Sequence, residues 1–445
     1  MCGSRRRCVR LPSFTNPTTE RFDATLLADH IAHEPSKLGR DFAGDLYEYR
    51  DGVYVRDSTV VTRRCAKALG ASYTKNVESQ AAAHLLNIDL PEVGLPELPR
   101  GYLDHIVLEN GVYWWREDRL TPHTEMLGAL TKLPITHDAI ALPHEFRAWL
   151  RVVFGDDEEM LRHVWEVLGY LLMTGNPLQK IILLYGGGGD GKGTFLRLLR
   201  AMLGKVNYSS VSLHQLVEDR FASSNLYGKT ANISGDLSSK FLSDPQILKE
   251  ITGGDSISAS RKHGQAFEFV PYAVPIFAAN EFFRTSDSSY GWRRRWMVIE
   301  FPNKVENDTE GAPVFDESVL HDDIPGIFNE AMEGLRRLMT RGRFAAPDAA
   351  REATTRMHDE ADPFMVWLDE DENVELDAET SSSCSDVYKA YTRWCRANGV
   401  AALSAITFGQ RLRPLGITKI RPRIAGGRVQ HYQGIRVYVP AGVEA

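Results

Sequence analysis

Leu183-Leu184-Tyr185-Gly186-Gly187-Gly188-Gly189-Asp190-Gly191-Lys192-Gly193-Thr194 joins an apolar strand to a glycine-rich loop and then to a helix. Five glycines fall between Gly186 and Gly191, so the backbone can adopt conformations that a Cβ would forbid and turn successive N–H groups toward one anion. Lys192 brings a point charge to the β and γ phosphates. The helix that follows (Thr194, Phe195, Leu196, Leu198, Leu199, Met202, Leu203, stopped by Gly204) aims its positive end at the same anion. The pattern G-x4-G-K reads as an NTP site whose binding residues are Gly186, Gly187, Gly188, Gly189, Asp190, Gly191, Lys192, Gly193 and Thr194. Gly193 stands where such loops carry the Ser or Thr that ligates Mg²⁺, which leaves Thr194 as the nearby hydroxyl. The apolar run Lys180 to Tyr185 upstream and the amphipathic helix downstream distinguish this from a ligand-free turn.

Composition frames the rest. The 445 residues are 43% hydrophobic and 25% charged, ordinary for globular protein and enough for roughly two to four domains. A net charge of −7 means that nucleic-acid contacts must come from local basic patches. No apolar run reaches the ~18 to 20 residues of a membrane span, and Met-Cys-Gly-Ser-Arg-Arg-Arg-Cys at the start lacks the apolar core of a signal peptide. The expectation is a cytoplasmic chain without membrane contact. Cys2, Cys8, Cys65, Cys384 and Cys395 are odd in number and scattered, which argues against a disulfide framework.

Five stretches follow one another. Residues 1–21 read as a flexible basic tail. Residues 22–145 read as an α+β domain, with Asp51-Gly52 and Asn110-Gly111 turning two hairpins; Trp114-Trp115 in the second favours packing over base stacking. Residues 146–340 hold the ATPase core, preceded by a collar helix that starts at the acids Asp156 to Glu159 and carries Met160, Leu161, Val164, Trp165, Leu168, Leu171 and Leu172 at helical spacing. Residues 341–383 read as a helical and acidic linker (Asp369 to Glu375, then Ser381 to Ser383). In 384–445, Asp386 and Ser404 are read as caps of two helices that precede a terminal hairpin, the outline of a winged helix. From Leu403 to Tyr438 there are seven Lys or Arg and no acid, so Arg411, Arg413, Arg421 and Arg423 are candidate DNA contacts. The competing reading is a protein-docking domain.

Downstream of the loop the order of pieces carries the argument. Lys229 to Asp236 is a short strand ending in a carboxylate placed for Mg²⁺ and the attacking water. Ala273 to Asn280 is an apolar strand ending in an amide suited to hold a water at the γ phosphate. Trp292-Arg293-Arg294-Arg295-Trp296 then precedes the strand Met297 to Phe301, and an arginine there could reach a neighbouring subunit's nucleotide.

Taken with Thr252-Gly253-Gly254-Asp255 and Arg261-Lys262, these segments resemble the superfamily 3 helicase module of phage and plasmid primase-helicases, of the poxvirus-type branch. The resemblance implies an AAA+-like P-loop ATPase core, a homo-oligomeric and commonly hexameric ring, and ATP with Mg²⁺ between subunits. It also implies single-stranded DNA in the pore and forked DNA as substrate. On it, Lys192 contacts the phosphates, Asp236 and Thr194 the metal, Asn280 is the sensor, and Arg294 or Arg295 the finger in trans. The segment Ser258 to Gly264 would form a pore hairpin with Arg261 and Lys262 on DNA. Relatives often carry a primase-polymerase domain upstream; the short stretch before residue 22 predicts a helicase served by a separate primase or polymerase. An ATP-assembled origin-binding initiator and a P-loop kinase are the alternative expectations.

Overall fold

Ile181–Tyr185 (β1) is an interior strand of a five-stranded parallel sheet completed by Tyr208–Ser209 (β2), Ala231–Ser234 (β3), Val274–Ala279 (β4) and Trp296–Glu300 (β5). The strand order is β5-β1-β4-β3-β2. The computed structural model describes residues 14–438 apart from 35–36, 42–43, 95–97, 99, 243–244, 263–265, 286, 288, 306–316 and 425–426. The mixed α/β class with a parallel sheet is the one expected from the sequence. β1 and β4 read as unbroken apolar runs because both faces are covered. Ile182 and Leu184 of β1 face one core and Ile181 and Leu183 the other, as the two-residue strand period requires.

The first core is closed by Glu158–Leu172 (α1), Lys192–Leu203 (α2) and, further along the chain, Ile324–Arg341. Helix α1 is the helix read from periodicity, and the Asp157 carboxylate caps it by accepting from Glu159 N and Met160 N, both at 3.0 Å. It lies close along Ile324–Arg341. A Cβ on Gly169 would stand 2.1 Å from Ala331 O, and one on Gly334 would stand 2.6 Å from Trp165 O, so both positions require glycine. The second core receives Gln246–Gly253 (α3), whose Leu248 and Ile251 are buried. With Ile324–Arg341 as α4, the next helix is Asp348–Ala361 (α5), which packs on β5: Val298 N donates to Thr354 Oγ1 at 3.0 Å and Arg356 pairs with Glu300 at 2.8 Å.

The stretch 341–383, expected as a linker, is thus built into its surroundings. Besides α5 it holds Pro363–Glu370 (α6), whose Phe364 and Trp367 are buried with the C-terminal helices. Val374–Glu375 pairs with Arg436–Val437, and Ser381–Ser383 with His431–Gln433. Asp369, Glu370, Glu372 and Glu375 are exposed, while Phe364, Val366, Trp367 and Leu368 just before them supply the buried stripe. Beyond lie Cys384–Ala397 (α7) and Ala405–Leu412 (α8). Ser383, not Asp386, caps α7: its hydroxyl accepts from Asp386 N at 3.1 Å, and Asp386 stands three residues inside. Ser404 caps α8 as expected.

Both early hairpins form at the turns read from sequence, with Asp51 at φ 46° and Gly52 at φ 96° in the first. Trp115 is buried with Nε1 donating to Leu103 O at 2.9 Å, and Trp114 donates to Thr121 Oγ1 at 3.0 Å, so both indoles are packing residues. Residues 14–93 hold a core of their own and share a small cluster at Val53 with Val107 and Val112, while Tyr102 to Ile135 also add residues to the cluster around α1 and α2. Among the described residues no helix is long and apolar enough to cross a membrane.

Candidate functional site

The glycine loop leaves β1 and enters α2 through Gly188 (φ 93°), Gly189 (φ 68°) and Gly191 (φ 96°), backbone conformations that side chains disfavour. Its centre is occupied by the chain's own anion. Asp190 is buried; its Oδ2 accepts from Gly188 N at 3.1 Å and from Lys192 Nζ at 2.5 Å, and its Oδ1 from Lys192 N at 3.3 Å. Lys192 Nζ also donates to Gly186 O at 2.9 Å. A Cβ on Gly186 would lie 2.1 Å from Asp190 Oδ2 and 3.0 Å from Phe301 O, so a side chain there would push the carboxylate out of its place in the loop. This donor set of backbone N–H groups and an ammonium suits a phosphate as well as a carboxylate.

Two further strand ends stand beside the loop. Ala279 of β4 is in register with Tyr185 of β1, and Phe277 with Ser234 of β3. Gly186 N donates to Ala279 O at 3.2 Å and Leu237 N to Ala278 O at 2.9 Å. Asn280 and Asp236, both exposed, therefore share the C-terminal sheet edge with Gly186, across two strand spacings of about 4.8 Å each. For a metal the fit is partial. Thr194 Oγ1 accepts from the Arg197 guanidinium at 3.2 Å, so a metal there would use the oxygen's remaining lone pair beside that cation. Mg²⁺ typically takes one or two protein oxygens beside phosphate and water, which Asp236 and Thr194 could supply.

The arginines occupy the opposite edge. Ile181 N donates to Arg295 O at 2.7 Å, at the start of β1 and β5, so a five-residue strand of about 17 Å separates them from the loop of their own chain. Trp292 and Trp296 are buried and fix the segment. Arg293 pairs with Asp359 at 3.3 Å. Arg294 is exposed and donates to Gln179 Oε1. Arg295 is buried: Nε donates to Thr252 Oγ1 at 2.8 Å, Nη2 to Lys249 O at 3.2 Å, and Nη1 to Gly291 O. Burial, then the neighbouring Arg294 charge, lowers its pKa. Of the two arginines expected to act in trans, Arg295 is committed to its own chain. Nothing in the sequence distinguished it from Arg294, since adjacent residues of one type differ only by which way the backbone turns them.

Ile257–Ser260 and Ala266–Phe269 form an antiparallel hairpin apart from the main sheet. Arg261 and Lys262 are exposed at its tip, and the Arg261 guanidinium lies 5.5 Å from the Phe267 ring centre and 6.0 Å from that of Tyr227; His263 and Gly264 lie outside the described residues. In the C-terminal region Arg413 and Arg421 are exposed, and the Arg423 side chain is outside the described set. Arg411 is a different case from the DNA contact expected of it. It forms a two-pronged pair with Asp362 and lies 4.7 Å from the Phe364 ring centre, tying α8 to α6.

A family model described as a family of unknown function (DUF5906) matches residues 184–295, about a quarter of the chain, from the loop strand to Arg295. A protein of Acanthamoeba polyphaga mimivirus described as a "Putative helicase" is 27% identical over 164 residues, which is 35% of this chain and 17% of that protein. The chain therefore spans about a sixth of that relative's length. Among solved structures, the apo A form of the NrS-1 C-terminal region aligns with a TM-score of 0.52 at 14% identity, covering 93% of this chain and all of that one, a likeness of fold.

Proposed function

We propose that the chain is an ATP-driven DNA helicase with an AAA+-like P-loop core, working as a ring, with a winged-helix unit at its C-terminal end. One observation carries the reading: the glycine loop, Asn280 and Asp236 lie side by side on one sheet edge in the order β1, β4, β3, while Arg294 lies about 17 Å away on the other. A nucleotide in the loop can be met by Arg294 only from a neighbouring subunit. Lys192 would hold the β and γ phosphates once Asp190 gives way, and Asn280 would hold the attacking water against the γ phosphate. Mg²⁺, when bound, would neutralise charge on the phosphate oxygens, with Asp236 and Thr194 as the protein oxygens. Arg294 would stabilise charge on the transferred group from across the subunit boundary, an effect typically worth ~10³ to 10⁵ in rate. Arg261 and Lys262 would follow the strand in the pore.

The test is ATP hydrolysis with and without single-stranded DNA, beside strand displacement on forks tailed at either end. Lys192→Ala is expected to abolish both activities while the protein stays folded. Hydrolysis indifferent to DNA, or no displacement by well-assembled protein, sinks the helicase reading. The exposed Arg413 and Arg421 support a second one, an ATP-assembled initiator, which would keep duplex binding after Lys192→Ala and never unwind.

A further inference from the structure

One of the links between the arginine segment and the hairpin is a residue that neither contains. Gln179 is half-buried just before β1 and holds a left-handed backbone, φ 55°, unusual for a residue with a side chain. Its amide is used at both ends. Nε2 donates to Gly253 O at 3.0 Å, and Oε1 accepts from the Arg294 guanidinium. Gly253 ends α3, and the first hairpin strand begins at Ile257. Lys180 Nζ fixes the backbone of the same arginine by donating to Arg294 O at 2.7 Å. Arg295 is bound to α3 as well, at Thr252 Oγ1 and Lys249 O. The side chain meant to leave for a neighbour's nucleotide is thus parked on an amide whose other end grips the base of the hairpin.

We propose that Gln179 is a positioning residue that aims Arg294 and couples it to the hairpin, so that engagement of DNA by the hairpin and engagement of the neighbour's nucleotide by Arg294 are read together. This rests on the helicase reading above. When Arg294 swings onto a phosphate, Gln179 loses one of its two partners, and its hold on Gly253 changes with it. When the hairpin shifts on DNA, Gly253 moves the amide and hence the arginine.

Gly is the informative replacement, since it removes the side chain and suits the left-handed backbone. In the full chain, Gln179→Gly is expected to melt no lower than the parent and to keep the KM for ATP within about 2-fold. Its kcat with a thymidine oligonucleotide should fall about 10-fold, and stimulation by that oligonucleotide should shrink toward one-fold. Gln179→Asn tolerates the same backbone and keeps a shorter amide, so it should recover part of the loss. Two results would overturn the proposal: Gln179→Gly with kcat and stimulation within about 2-fold of the parent, or a loss matched by a lower melting temperature. Arg294→Ala separates the two levels. If it is inactive while Gln179→Gly is normal, only the coupling fails; if Arg294→Ala keeps full kcat, the trans-acting role of Arg294 fails and the coupling with it.

Discussion

Asp190 puts a negative charge into a loop built to hold anions. Its carboxylate takes the Gly188 N–H and the Lys192 ammonium, so under the proposed function a nucleotide phosphate has to displace it. Asp190→Asn keeps the shape and removes the charge. It is expected to tighten binding of a fluorescent ATP analogue roughly 3- to 10-fold, the scale of one charge-assisted hydrogen bond; weaker binding would show that the carboxylate instead preorganises the loop. His163 on α1 is a second residue out of balance with its surroundings. It is 1% exposed, meets Phe344 edge-on at 5.7 Å, and neither ring nitrogen has a hydrogen-bond partner among the described residues. Burial, with the Arg341 charge beside it, pushes its pKa down from 6.5 to about 4. Below pH 6.5 the unfolded chain takes up a proton that the folded chain refuses, so stability falls as pH drops toward 4 and is level above 7. His163→Phe is therefore expected to stabilise the protein against urea by about 2 kcal/mol at pH 5 and to change little at pH 8. An equal effect at both pH values would mean that packing, not titration, sets the difference.

At the scale of elements, the hairpin Ile257–Phe269 and helix α8 show how position sorts basic residues of equal promise. Arg261 sits beside two aromatic rings at an exposed tip with Lys262, free to meet a phosphate backbone. Arg411 has the same chemistry but faces inward along α8 and closes on Asp362. Replacing Arg261 and Lys262 by Ala should weaken single-strand binding and flatten its dependence on salt, since each lost phosphate contact removes about 0.7 from the log–log slope. Titrations at several salt concentrations decide it; an unchanged slope would take the hairpin off the DNA. Replacing Arg411 should leave that slope alone. The hairpins at Asp51-Gly52 and Asn110-Gly111, and the start of α1, were legible because local backbone chemistry alone determines them. The strands Val374–Glu375 and Ser381–Ser383 were not, because their pairing partners lie about 50 to 60 residues away and their own composition is polar.

In the proposed ring, the nucleotide site is an arrangement that no single subunit completes. With the loop and Arg294 on opposite edges of one sheet, mixing Lys192→Ala subunits with Arg294→Ala subunits should restore hydrolysis that neither shows alone. In a randomly mixed ring about a quarter of the interfaces would pair an intact lysine with an intact arginine. A mixture as inactive as its parts would place both groups in one subunit or remove Arg294 from the chemistry. The chain alone determined the strand–loop–helix around Lys192, the order in which the acid, amide and arginine follow it, and the turns of the early hairpins. All of these rest on glycine conformation, side-chain period and short-range spacing. Only the tertiary structure decided that Asp190 fills the loop, that Arg295 is buried while Arg294 is presented, that Arg411 is tied to Asp362, and that Gln179 bridges Arg294 and Gly253. The physical reason is the same in each case. A hydrogen bond or ion pair is closed by direction and distance in space, and neighbouring arginines, or an aspartate among glycines, carry no mark in sequence of where the folded backbone will point them.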